Sequence, residues 1–184
     1  MPDPTSTREK PVQAMAAHEL RNGLNAASLR PLARAAGTSD RMLIYHFGSK
    51  DALIAALLTD LGELFQRVLN RHLPAGRLAS DRAGVRAILE LMQSDATRGF
   101  QRVWFDLLAA SARGHGAHRA TGAAILCGLH DWLVQHPPEA TPGTPGRAAD
   151  LLIRIEGILV AAELGLDDLV TAAIAGIDDG TAPD

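Results

Sequence analysis

The chain has 184 residues, of which 47% are hydrophobic and 21% charged, an ordinary soluble composition with enough length to bury a core without disulfides or metals. Charges break its apolar stretches well short of the roughly 18 residues of a membrane span. Its polar start has no signal-peptide pattern, and its one cysteine, Cys127, excludes an intrachain disulfide framework. A soluble cytoplasmic protein with no membrane partner is expected. The net charge of −3 is unevenly distributed: residues 1–50 net +3 and the remainder −6, so a basic head precedes an acidic body.

Ala occurs 32 times and Leu 26, both strong helix formers, and no segment alternates with a two-residue period. An all-α fold of about nine helices follows. Residues 1–10 are expected to be a disordered arm. Val12, Met15, Ala16, Leu20 and Leu24 recur at helical spacing and predict a first helix ending near Asn22-Gly23. Ser28 is placed to cap a second, Leu29 to Ala36, with Pro31 in its first turn. Gly37 stops it, and Ser39 caps a third from Asp40 to Phe47. Gly48 breaks that helix, Ser49 caps again, and a long fourth helix runs from Lys50 to about His72.

A turn is expected at Leu73-Pro74-Ala75-Gly76. Val85, Ile88, Leu89 and Met92 mark the fifth helix; Phe100, Val103, Trp104, Leu107 and Leu108 mark the sixth, ending near Gly114. The seventh runs from about Gly116 to Gln135. His136 to Gly146 is rich in proline and glycine and predicts a loop. The eighth spans Arg147 to Leu164 and the ninth about Asp167 to Gly176, with a fraying tail from Asp178 to Asp184.

Two short helices joined by Gly37-Thr38-Ser39 have the length and turn of a helix-turn-helix, although the same spacing serves an ordinary corner in a helical bundle. The residues are more specific. Leu32-Ala33-Arg34-Ala35-Ala36-Gly37, Ser39, Leu43, the aromatic cluster ending in Phe47, and Ser49-Lys50 opening a long helix resemble the DNA-binding signature of the TetR/AcrR family of transcriptional regulators. The resemblance covers about 45 residues at the N-terminus. It implies an N-terminal helix-turn-helix domain over residues 1–50 and a ligand-sensing and dimerisation domain over 51–184.

By position, the resemblance assigns Thr38, Ser39, Tyr45, His46 and Lys50 to sugar-phosphate contact and Arg30, Asp40, Arg41 and Met42 to base edges, in keeping with the chemistry of those groups. Asp40 has a second reading, as a charge supporting the helix N-terminus. The sequence departs from the family where Gly-Thr-Leu-Tyr is usual: here it has Arg41-Met42-Leu43-Ile44, with the aromatic hydroxyl one residue later, at Tyr45. A distinct operator is expected. Leu29, Leu32, Leu43, Ile44 and Phe47 are expected in the core of the head.

The eighth helix is apolar on two opposite sides. Ala148, Leu151, Leu152, Ile155, Ile158, Leu159 and Ala162 form one; Ile153, Gly157, Val160 and Leu164 lie roughly 180° away at 100° per residue. A second apolar face suits a partner, or else a fully buried central helix. The resemblance implies a homodimer through the last two long helices, to which the ninth adds Leu169 and Ala173. It also implies a small-molecule pocket, for which the scarce aromatics Phe65, Phe100, Trp104 and Trp132, with Ser111 and His118 on apolar stripes, are the candidates. Taken singly, each aromatic fits plain core better than a ligand wall.

No enzyme motif is present: His18-Glu19-Leu20-Arg21-Asn22 lacks the second histidine of a zinc-protease helix, and no Gly-rich phosphate loop occurs. His115 and His118 have no third ligand at convincing spacing, so neither metal nor cofactor is expected. The functional expectation is a homodimeric regulator, a repressor released from a palindromic double-stranded DNA operator by a small, mostly apolar ligand. A ligand-blind DNA-binding regulator and a helical interaction module with a vestigial head are the alternatives.

Overall fold

A computed structural model describes residues 4–24, 28–73, 78–114, 116–138 and 142–177, with side chains left undescribed for 4–10 and 117. Among the described residues there are nine helices and no strand: α1 (Pro4–Asn22), α2 (Leu29–Ala35), α3 (Asp40–Phe47), α4 (Lys50–His72), α5 (Asp81–Gln93), α6 (Arg98–Ala112), α7 (Gly116–Gln135), α8 (Pro145–Glu163) and α9 (Asp167–Ala175). The protein is all-α with an N-terminal helix-turn-helix. None of these helices is long and apolar enough to cross a membrane.

Local chemistry explains most boundaries. Ser39 accepts from the Met42 amide, Ser49 from the Ala52 amide and Ser80 from the Ala83 amide, each satisfying a donor that an α-helix start leaves open. The end of α2 is a Schellman turn. The Thr38 amide donates to the Ala33 carbonyl and the Gly37 amide to that of Arg34, with Gly37 at φ +65°, where glycine carries no steric penalty.

Three expectations are corrected. Ser28 occupies the N-cap position of α2 with extended backbone, but its hydroxyl makes no capping bond. The arm expected over residues 1–10 is helical from Pro4 onward. Those residues lack apolar periodicity and precede Pro11, whose ring nitrogen cannot donate a helical bond, so the sequence carried no helix signal there. The eighth helix begins at Pro145, two residues earlier than expected. Thr144 caps it by accepting from the Arg147 amide, and Pro145 fills the first turn, where no N–H is needed. Residues 1–3, the turn from Pro74 to Gly76, His115, part of the 136–146 loop and the tail from Asp178 lie outside the described residues.

The chain forms two compact units, one of residues 1–65 and 95–125, the other of 66–94 and 126–184. The core of the first joins Met15 and Ala16 of α1, Leu32 and Ala33 of α2, Leu43 of α3, Leu53, Ile54, Leu57, Leu58 and Leu61 of α4, and Val103 and Leu107 of α6. In the second, α5, α8 and α9 pack together. Arg147 of α8 donates through Nε to both carboxylate oxygens of Asp81 (3.1 and 2.9 Å) and through Nη2 to Oδ1, and its Nη1 reaches the Leu133 carbonyl (3.4 Å). Arg82 donates to the Ile177 carbonyl (2.8 Å), tying the end of α9 to α5.

Candidate nucleic-acid interface

The helix-turn-helix presents α3 as a two-sided helix. Leu43 is its buried residue, and Ile44 and Phe47 are half-buried. The opposite side carries Arg41, Met42, Tyr45 and His46, all exposed, with Tyr45 79% accessible and its ring edge-on to His46 at 5.4 Å. So much exposed tyrosine and methionine on a helix that also bears an arginine suits a surface made for contact.

Arg30, Thr38, Ser39 and Lys50 are likewise exposed, and Asp40 is half-buried in the first turn of α3, where its charge complements the helix dipole. The Ser39 hydroxyl is committed to its cap. The nine residues assigned to DNA thus come from α2, the turn, α3 and the first residue of α4. Ile44, which stands where the family's tyrosine usually does, is half-buried, whereas Tyr45 points outward.

The residues proposed to line a ligand site are placed less uniformly. Phe65 and Phe100 meet at 5.4 Å between ring centroids, tilted by 44°. Phe100 and Trp104 pack, partly buried, against the core of the first unit. The Ser111 hydroxyl donates to the Leu107 carbonyl of its own helix (2.8 Å), keeping its lone pairs as acceptors. His118 is half-buried near the start of α7 and is engaged by a neighbour. Trp132 belongs to the second unit: it is 6% exposed, its indole N–H donates to Asn70 Oδ1 (2.6 Å), and it stacks on His136 at 4.3 Å. Among the described residues no group of three acidic, histidine or cysteine side chains is placed to hold a metal ion.

On the second unit, α8 buries Ala148, Leu151, Leu152, Ile155, Ile158 and Leu159. Its other apolar side stands open, with Ile153 at 71%, Val160 at 44% and Leu164 at 69% exposure, and Leu169 of α9 at 56%. Nothing lies within 4 Å of where a Cβ on Gly157 would project, and Ala173 is half-buried.

One polar seam escaped the sequence reading. At the end of α1 the Leu24 amide donates to Asp106 of α6 (2.8 Å), and Arg102 of α6 donates to the Arg21 carbonyl (2.8 Å). A Cβ on Gly99 would come within 2.5 Å of the Leu20 carbonyl oxygen, and one on Gly23, at φ +79°, within 2.7 Å of Asp106 Oδ2. The one available signal was Glu19, which falls at helical spacing from Met15 and Ala16.

Residues 16–57 match the family described as bacterial regulatory proteins, tetR family. No curated protein matches the chain in sequence. Among solved structures, it is similar to the multidrug binding protein EbrR complexed with ethidium (22% identity, 93% of this chain and 99% of that one, TM-score 0.66). It is similar also to the reduced form of E. coli NemR (17%, 97% and 100%, TM-score 0.68). A third is a transcriptional regulator, RHA1_ro04179, from Rhodococcus sp. Rha1 (22%, 90% and 90%, TM-score 0.63). At these identities the likeness is one of fold, and it extends over nearly the whole length of each chain.

Proposed function

From the match of residues 16–57 to the tetR family of bacterial regulatory proteins, we propose a homodimeric, cytoplasmic transcriptional repressor that a small, mostly apolar ligand releases from a palindromic operator. Residues 1–50 act as the DNA-reading head and 51–184 as the sensing and dimerisation body. The observation that carries this reading is the outward face of α3, where Arg41, Met42, Tyr45 and His46 are exposed opposite a buried Leu43. That is the arrangement a helix needs to enter a major groove while its other side stays seated.

Pairing of two copies is supported by the open apolar face of Ile153, Val160, Leu164 and Leu169, with Gly157 leaving room for close backbone approach. A dimer sets two reading helices one DNA turn apart, about 34–36 Å. Release follows when the ligand favours a state with a different separation, a differential of about 1–3 kcal/mol being typical of such coupling. The long helix α4 begins directly after α3, so a shift of α4 changes where α3 lies. The EbrR structures with proflavin and ethidium lend support to a flat aromatic ligand for this chain.

The test is selection of duplexes from a random-sequence library by the purified protein, followed by titration of the selected duplex with small apolar compounds. Enrichment of a palindrome that one compound class releases is expected; an unenriched library overturns the reading. Within the selected site, Arg41→Ala is expected to relax base preference at one position per half-site, by about 1–3 kcal/mol for a bidentate contact. Lys50→Ala is expected to weaken every sequence alike and lower the salt slope by about one per half-site. Equal loss across sequence variants for Arg41→Ala would move that residue to the backbone contacts.

A further inference from the structure

Three polar or charged side chains are buried among the described residues: Glu19, Thr97 and Gln101. Thr97 and Gln101 are engaged by neighbours. Glu19 is 0% exposed, and neither carboxylate oxygen has a hydrogen-bond partner. It lies on α1, one turn before the seam where Asp106 holds the Leu24 amide and Arg102 holds the Arg21 carbonyl. An ionised carboxylate in that place has lost its water and gained no partner, so the site disfavours the ionised form.

The charges around it sharpen the point. From α6, Asp106 acts on Glu19 as a like charge. Arg102, on the same helix, is committed to the Arg21 carbonyl, and Arg30 and Arg34 of α2 are exposed. On α1 itself, the His18 ring has Nδ1 3.3 Å from the Asn22 amide nitrogen, while its Nε2 is buried without a partner. Burial first, and the Asp106 charge second, push the Glu19 carboxyl up from 4.5 to about 7.

We infer that Glu19 is a proton-operated latch between α1 and α6: protonated, it lets Asp106 clasp the end of α1; ionised, it drives the two carboxylates apart and opens that seam. The step is the loss of one proton from the Glu19 carboxyl to solvent, and no bond other than O–H is broken covalently. α1 packs on α2 and α2 on α3, with Met15, Leu32 and Leu43 in one core. An opened seam therefore loosens the seat of the exposed helix face. Operator affinity becomes responsive to pH near neutrality, a property that rests on the proposed DNA binding. The stability part does not.

The sign follows from linkage. The folded state holds the Glu19 proton more tightly than the unfolded chain, so this group's stabilisation is complete below about pH 4.5 and is lost as pH rises through about 7. The experiment compares wild type with Glu19→Gln, a neutral side chain of the same shape, from pH 6 to 8 at constant salt. Melting, amide exchange at Leu24, and binding of a duplex selected from a random library at pH 6 are followed together.

The wild type is expected to lose about 3–5 °C in Tm relative to Glu19→Gln over that interval. Its Leu24 amide should lose protection, and its duplex affinity should fall at least about fivefold more than the variant's. Parallel pH profiles for the two proteins overturn the latch. A change in melting without one in relative affinity overturns its link to α3. A library that yields no duplex overturns DNA binding instead, and the melting and exchange arms still judge the seam. Should Glu19→Gln not fold, carbon-13 titration of the wild-type Glu19 carboxyl decides: a midpoint near 7 supports the latch, and one near 4.5 overturns it.

Discussion

On the proposed homodimer, Val160→Glu is expected to give folded, helical monomers that no longer hold a palindrome. Val160 sits at 44% exposure between Ile153 at 71% and Leu164 at 69%, so in a single chain a glutamate there turns into water at little cost. Pressed against a second copy without a facing cation, the same carboxylate loses its hydration, and the effective penalty is several kcal/mol per ion. Two-fold pairing counts it twice. The nearest arginine on the same helix, Arg154, is already paired with Asp150 at 2.8 Å.

Loss of the proposed dimer would also remove a simultaneous grip on two half-sites, so binding is expected to fall far more than the loss of one contact accounts for. Sedimentation equilibrium, circular dichroism and duplex binding on one preparation decide the matter. Global unfolding in place of clean dissociation would assign that face to the chain's own core.

Leu43→Ala is the second large effect. An isolated helix shorter than about 12–15 residues is marginal in water, and α3 has eight, so packing holds it. Leu43, 2% exposed, is its one fully seated side chain, set among Met15, Leu32 and Leu53, each 0% exposed. Truncation removes apolar contact and leaves a cavity, costing about 2–5 kcal/mol and roughly 4–20 °C in Tm for a chain of this size. Duplex binding should weaken for every sequence alike, because the whole reading face loses its seat. Met42→Ala, at a 41% exposed position next door, is the matched control and should leave melting nearly unchanged. An unchanged Tm for Leu43→Ala would mean that α3 is seated elsewhere.

Much of the fold could be read from the residues because it is decided within one or two helical turns. Ser39 and Ser49 cap because a hydroxyl three residues before an open amide reaches it. Gly37 ends α2 because a left-handed residue is needed there. The inner side of α3 and the longer buried stripe of α8 follow from helical spacing alone. Where the expected bounds failed, the signal was weak or mixed. Residues 4–10 have no apolar rhythm, and Thr144-Pro145, a helix start, stood inside a proline-rich loop.

The sequence left the second apolar side of α8 either to a partner or to full burial, since periodicity says that this side is apolar and not what covers it. Tertiary packing made the choice, burying Leu151 and Ile155 and leaving Ile153 and Leu164 outside. Nor was the seam at the end of α1 available from local pattern. Its two hydrogen bonds join residues 82 and 81 apart in the chain, and the Arg147–Asp81 pair spans 66. Glu19 shares the spacing of Met15 and Ala16, but spacing does not say what covers that side of the helix. Only the approach of α6, close enough that Gly99 has no room for a Cβ, removes its water and makes it an acid poised near neutrality, because desolvation depends on what the rest of the chain brings to the site and not on the residues beside it.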